Sequence, residues 1–242
     1  MKLDILAFGA HPDDIELSCS GWLLTEKANG KKTGVIDLTK GELSTRGTVD
    51  TRQTETDSAS ALLGLDIREN LAMPDGFFTI NRENTVAVIQ KIRAYQPDIV
   101  LCNAPHDRHP DHGRAAELVS EACFLSGLSK IETSQLDVNQ KPWRPKYVFN
   151  YIQDRFIEPD FLIDISTVFE QKMDAIRAYK SQFYHTSIQG PETYISSPEF
   201  LEQLIARHAV LGKRIGVSYA EGYISSKKIG IRNMDAFILK ST

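Results

Sequence analysis

Histidine and aspartate concentrate in two short segments of this sequence, Ala10-His11-Pro12-Asp13-Asp14 and His109-Pro110-Asp111-His112. Of the six histidines, His11, His106, His109 and His112 all fall in or beside these segments. Imidazoles combined with carboxylates are the ligand set of a catalytic zinc or a related divalent ion. Three protein ligands leave a coordination position for water, whose pKa falls to ~7 on zinc. A carboxylate beside that water can take its proton during attack and return it to the leaving group. A further imidazole can stabilise the developing oxyanion. The chemistry within reach is hydrolysis of a carbonyl or phosphoryl compound. His11 and Asp14 are three residues apart, as are His109 and His112, which puts each pair on one side of a loop entering a helix. Asp13 and Asp14 are adjacent and diverge, so one can ligate while the other stands beside the water; spacing leaves open which.

Both segments follow apolar runs that read as buried strands, Leu3 to Phe8 and Asp98 to Cys102, and both precede amphipathic stretches. Parallel strands end on one edge of a sheet, where ligands bind, so residues nearly a hundred positions apart can share a crevice. Pro12 and Pro110 fix φ and stiffen the loops that aim their neighbours. Between the two segments, the pattern predicts a helix over 15–28 with Asp13 or Asp14 as N-cap, and a strand over 33–38. A polar loop over 39–48, a helix over 50–63, a short strand over 70–73, the turn Pro74-Asp75-Gly76 and a helix over 84–95 follow. This β-α-β-α order requires a mostly parallel sheet with helices on both faces. Later, strands are expected over 146–153 and 160–165, and helices over 167–179 and 197–213. The polar stretch 181–196 between those helices is a rim or lid loop. No repeat or boundary divides the chain, so a single α/β domain over 1–242 is expected.

Composition narrows the function classes. The 242 residues are 41% hydrophobic and 25% charged, with a net charge of −4 and dispersed lysines and arginines, which gives no footprint for nucleic acid. No apolar run reaches the ~20 residues of a membrane span, and the first strand begins too early for a signal peptide. Cys19, Cys102 and Cys123 are odd in number and lack a C-x-x-C spacing. They read as buried residues of a reduced, cytoplasmic protein.

Several segments together resemble one family. They are Phe8 to Asp14, Asp37-Leu38-Thr39-Lys40-Gly41-Glu42-Leu43-Ser44, Asn70 to Asp75, Asp107 to His112, Tyr179-Lys180-Ser181-Gln182-Phe183 and Tyr219-Ala220-Glu221-Gly222. The chain is similar to the LmbE-like/PIG-L family of zinc-dependent N-acetylglucosamine deacetylases, and most closely to its bacillithiol-pathway branch. The resemblance implies a Rossmann-like α/β fold, with zinc or another divalent metal held by His11, Asp14 and His112. It also implies that Asp13 is the general base and that His109 faces the oxyanion. Asp111 matches the motif as an orienter of a histidine or as a surface helix N-cap. Arg52 and Arg108 are candidates for a substrate carboxylate, against the plainer reading that each neutralises a neighbouring acid. Asp75 either grips sugar hydroxyls or forms its turn. His106 is expected behind the ligands or at the rim rather than as a ligand, and His208 on the surface or satisfied. The stretch from His185 to Ser197 departs from the family's pattern and receives no role.

The substrate implied is a small sugar conjugate, N-acetylglucosaminyl malate, cleaved to glucosaminyl malate and acetate by a homo-oligomer. A dinucleotide is not expected, because no G-x-G-x-x-G follows the first strand. Competing readings keep the metal but change the substrate to another N-acetylated sugar, a small amide or a phosphoester, or make the protein a metal-dependent sugar-binding module. An aspartate left over beside the ligands argues against mere binding, which needs no base.

Overall fold

A computed structural model describes residues 1–135, 137–186, 190–231, 233, 235 and 238. Seven strands form its main sheet, in the order β3-β2-β1-β4-β7-β9-β8. They are β1 (Ile5–Gly9), β2 (Thr33–Thr39), β3 (Ile67–Met73), β4 (Ile99–Cys102), β7 (Tyr147–Tyr151), β8 (Phe161–Asp164) and β9 (Ala220–Ser225), while β5 (Ser134–Gln135) and β6 (Val138–Asn139) form a small hairpin. Strands β3, β2, β1, β4 and β7 run parallel, and β9 runs antiparallel to both β7 and β8.

The helices are α1 (Asp14–Ser18), α2 (Ser20–Ala28), α3 (Val49–Leu63), α4 (Arg82–Tyr95), α5 (Pro110–Leu125), α6 (Phe169–Arg177) and α7 (Pro198–Ile215). Alternation along the interior strand β1 assigns the layers. Leu6 and Phe8 enter the core shared with Val88, Ile89 and Ile92 of α4 and Leu118 and Val119 of α5. Ile5 and Ala7 face Ile15, Trp22 and Leu23 on the opposite side. This is the expected mostly parallel sheet with helices on both faces. Among the described residues, no helix is long and apolar enough to cross a membrane.

Besides the small β5–β6 hairpin, which the sequence pattern does not anticipate, three elements differ from expectation. The helix expected over 15–28 is broken at Cys19 (φ −139°, ψ 6°); side chains from α6 and β9 satisfy the backbone groups that the break exposes. Strand β3 begins at Ile67 rather than residue 70, because its charged Arg68 pairs inward with Asp37 and Glu16. Strand β9 has no counterpart in the sequence reading: its buried Glu221 interrupts the apolar pattern by which a strand is recognised.

Candidate active site

Adjacent parallel pairing of β1 with β4 places their C-terminal ends side by side. The loop after β1 carries residues 10–14, and the loop after β4 runs into α5 at Pro110. They open onto a cavity of about 410 Å³ whose lining includes His11, Asp13, Asp14, His109 and His112. Loops following β2 and β3, together with residues after β7, complete the wall with Arg46, Asp75 and Asp154. The two sequence segments therefore meet at one sheet edge, as their strand–loop–helix contexts require.

Asp14 sits between two imidazoles. Its Oδ1 is 3.1 Å from His112 Nε2, and its Oδ2 is 3.7 Å from His11 Nδ1. Carboxylates hold the far nitrogen of each ring. His11 Nε2 lies 2.9 Å from Asp75 Oδ1 and 3.3 Å from Asp111 Oδ2, and His112 Nδ1 lies 2.5 Å from Asp107 Oδ2. Asp14 is itself fixed by N–H donors from Asn103 Nδ2, Gln153 Nε2 and the His11 backbone, each at 3.0 Å. Rings oriented by outer carboxylates toward a central acid form the carboxylate–histidine pattern that aims nitrogens at a divalent ion. The donor set thus fits a metal. Ligand atoms of His11, His109 and His112 also lie within 4.8 Å of one another, as do those of His11, Asp75 and Asp111.

Electrostatics follow from this packing. Burial disfavours charge on His11, but hydrogen bonds to Asp111 and Asp75 and the charge of Asp14 outweigh it and raise the ring to about 10. His112 is likewise disfavoured by burial yet raised to about 9, chiefly by Asp14 and Asp107. Burial opposes ionisation of Asp14, and the two rings overcome it, holding the carboxylate far below its usual range. Without metal, two imidazolium rings supply the positive charge that this carboxylate requires.

Asp13 differs from its neighbour. Its backbone has φ 109°, a left-handed conformation that is strained for a residue with a side chain. Its carbonyl accepts from Leu17 N–H at 3.0 Å and so opens α1, while its side chain makes no cap. The carboxylate instead accepts from Arg52 Nη2 at 2.6 Å. Burial pushes it up to about 7, although the Arg52 charge works the other way. A carboxyl balanced near neutrality beside a ligand cluster is suited to exchanging protons.

The remaining expected residues divide. His109 Nδ1 accepts from Asp111 N–H at 3.2 Å, so His109 itself caps α5. Burial, with the charges of His11 and His112, lowers it to about 4, and the neutral ring carries its proton on Nε2. Asp111 is buried, accepts from Gly76 N–H at 2.8 Å and reaches His11, so it is not a surface cap. Asp75 gives one oxygen to His11 and the other to Leu43 N–H at 3.0 Å. Arg52 also donates from Nε and Nη2 to the Pro12 carbonyl. Arg108 lies at the half-exposed rim, 3.6 Å from Asp154 and stacked over Tyr194. His106 is exposed and lies outside the cavity lining. His208, expected on the surface or satisfied, is buried rather than at the surface and has Nδ1 2.9 Å from the Ala220 carbonyl; its helix packs inward against β9. Of the expected rim loop, residues 187–189 lie outside the described residues, while Thr193, Tyr194 and Ile195 line the cavity.

Asp107, Asn103 and Gln153 were not singled out from sequence. Asp107 lies just ahead of the second segment, five residues before His112. Asn103 and Gln153 follow the C-terminal ends of β4 and β7, the positions at which a parallel sheet presents polar groups to a ligand.

Residues 6–123 match the family described as PIG-L, GlcNAc-PI de-N-acetylase. The diacetylchitobiose deacetylase of Thermococcus kodakarensis is 30% identical over 228 residues, covering 90% of this chain and 81% of that protein. Among solved structures, a conserved protein of Thermus thermophilus superposes with a TM-score of 0.84 at 36% identity, covering 95% of this chain and 97% of the other. The N,N'-diacetylchitobiose deacetylase of Pyrococcus horikoshii shares the fold, with a TM-score of 0.77 at 24% identity over 91% of this chain and 82% of that one. The chain belongs to the PIG-L/LmbE-like deacetylase family.

Proposed function

We propose that this protein is a zinc-dependent N-deacetylase of an N-acetylglucosamine conjugate, with N-acetylglucosaminyl malate as substrate and glucosaminyl malate and acetate as products. One observation carries the reading. Two adjacent aspartates have separate surroundings: Asp14 lies among histidines, and Asp13 is buried beside them, paired with an arginine and raised to about 7. A binding site needs the first; hydrolysis needs both.

His11, Asp14 and His112 would hold the divalent ion. When bound, such an ion supplies Lewis acidity, polarising the acetyl oxygen and making water a better acid. Asp13 takes a proton from the water attacking the acetyl carbon. It then returns that proton to the glucosamine nitrogen as the C–N bond breaks, releasing acetate and the amine. Arg52 fixes the direction of the Asp13 carboxylate. His109, neutral with its proton on Nε2, donates to the oxygen that gains charge at the acetyl carbon. Arg108 meets a carboxylate of the malate at the cavity rim, where its guanidinium is half-exposed. Arg52 would meet substrate only with the part of its guanidinium not held by Pro12 and Asp13. Asp75 positions His11 and contributes its edge of the cavity to the sugar. The cytoplasmic setting and the place in bacillithiol synthesis belong to the same proposal.

The substrate assignment is tested by kcat/KM for acetate release across N-acetylglucosamine conjugates that differ only in aglycone. The malate conjugate is expected to be preferred over an uncharged glycoside. A preference for the neutral glycoside would remove malate and leave the deacetylase chemistry standing.

A further inference from the structure

The Tyr219-Ala220-Glu221-Gly222 segment has no part in the chemistry described above, yet it delivers a buried charge close beneath it. Glu221 on β9 and Lys172 on α6 form an ion pair at 2.9 Å, both side chains 0% exposed. Nearly every polar contact of this pair is made to the break between α1 and α2. Lys172 Nζ donates to the carbonyls of Glu16 at 2.8 Å and Leu17 at 3.1 Å, and lies 3.4 Å from Ser20 Oγ. Glu221 accepts from the N–H groups of Gly21 at 2.8 Å and Trp22 at 2.9 Å. Tyr223 OH closes the set at 2.7 Å from Glu221 Oε2. A side chain at position 21 would meet Glu221 Oε1 at 2.7 Å, so Gly21 lets the carboxylate approach.

A cation therefore caps the C-terminal end of α1, and an anion caps the N-terminal end of α2. Each matches the sign of the helix end that it meets. Stability alone is a weak reason for such a pair, since burying two charges offsets much of their attraction. Direction is the stronger reason. Helix α1 has five residues and is too short to hold its own orientation. It starts at Asp14 directly after the strained Asp13, and Leu17 and Ser18 near its far end line the same cavity.

We propose that the Lys172–Glu221 pair is the positioning device of the active site: by capping both sides of the break, it sets the direction of α1 and thereby the placement of Asp13 and Asp14. Neither residue touches substrate. The inference rests on the assignment of Asp14 as metal ligand and Asp13 as base.

The test uses the full chain loaded with cobalt(II), whose visible absorption reports ligand geometry. It compares wild type, Asp14→Asn and the charge-neutral double variant Lys172→Met/Glu221→Gln. The double variant is expected to fold, to show an altered cobalt spectrum, and to lose kcat by about 10–100-fold, the scale for residues that orient metal ligands. KM should stay within about twofold, because the substrate contacts are untouched. If the double variant does not fold, Glu221→Asp carries the same readouts: it keeps the charge pair but draws the carboxylate back from Gly21 and Trp22 by one methylene. A wild-type spectrum and wild-type kcat in a variant that has only lost melting temperature would overturn the proposal and leave the pair a core contact. If Asp14→Asn bound cobalt as wild type does, the ligand assignment itself would fail, and this proposal with it.

Discussion

Arg52 Nη2 stands 2.6 Å from Asp13 Oδ2 with both side chains buried, and the same guanidinium holds the carbonyl of Pro12, the residue just before that aspartate. The arginine thus grips the base from its side chain and from its backbone. Beneath Gly41, whose φ of +65° suits glycine, the guanidinium also fills the space that a side chain would occupy.

Replacing Arg52 with Ala is expected to change the pH profile for every substrate. Burial raises Asp13 and Arg52 lowers it, so removing Arg52 raises the carboxyl further. The base works ionised, and the acidic limb of kcat/KM should therefore move to higher pH on charged and uncharged conjugates alike. If the loss were confined to the malate conjugate and the limb did not move, Arg52 would be a substrate contact rather than a support of Asp13.

The two aspartates should separate cleanly. Asp13→Asn is expected to keep its metal and lose turnover by roughly 10²–10⁴, the range for a positioned acid–base group. Asp14→Asn should instead lose metal, since its carboxylate lies between His11 and His112. Elemental analysis beside kinetics reads both, and reversed phenotypes would exchange the roles.

Metal uptake should release protons. His11 at about 10 and His112 at about 9 are both protonated near pH 7 without metal, and a ligating nitrogen must give up its proton. Calorimetry in buffers of different ionisation enthalpy is expected to find about two protons released per ion, with affinity rising with pH. The same values give the sign for metal-free stability. Both folded-state values exceed the unfolded ~6.5. The contribution is complete below that pH and is lost as pH rises through 9 to 10. The metal-free Tm should fall across this window; a flat Tm with no proton release would contradict the placement of the carboxylates.

Much of this arrangement was legible in the sequence because it is local. The two His/Asp segments each carry a three-residue spacing, and strand–loop–helix order forces them to one edge. What was hidden depends on contacts across the fold. Gln153 reaches Asp14 from 139 residues away. The break at Cys19 depends on Lys172 and Glu221, which no window around residue 19 contains. Strands β3 and β9 each bury a charge, Arg68 and Glu221, whose compensating partners are remote in sequence. A pattern rule that counts apolar residues clips the first of these strands and passes over the second.

The thiols should be inert. Cys19, Cys102 and Cys123 are buried, and burial raises all three, Cys102 to about 12. Native protein is expected to resist a thiol reagent that titrates three groups after unfolding. Single Ser variants that fold should keep wild-type activity per bound metal. Inactivation of a folded, metal-loaded variant would reveal a role for that sulfur.

Hydrolysis of the acetamide by a metal centre with Asp13 as its base is open to a direct test. The direct measurement is the yield of acetate and of free glucosamine amine from N-acetylglucosaminyl malate, using metal-loaded, metal-stripped and Asp13→Asn protein. Equal amounts of the two products are expected from the loaded enzyme, none after stripping, activity restored by adding the ion back, and the Asp13 loss given above with full metal content. Metal-loaded wild-type protein that binds N-acetylglucosamine conjugates yet releases acetate from none of them would contradict this hydrolysis.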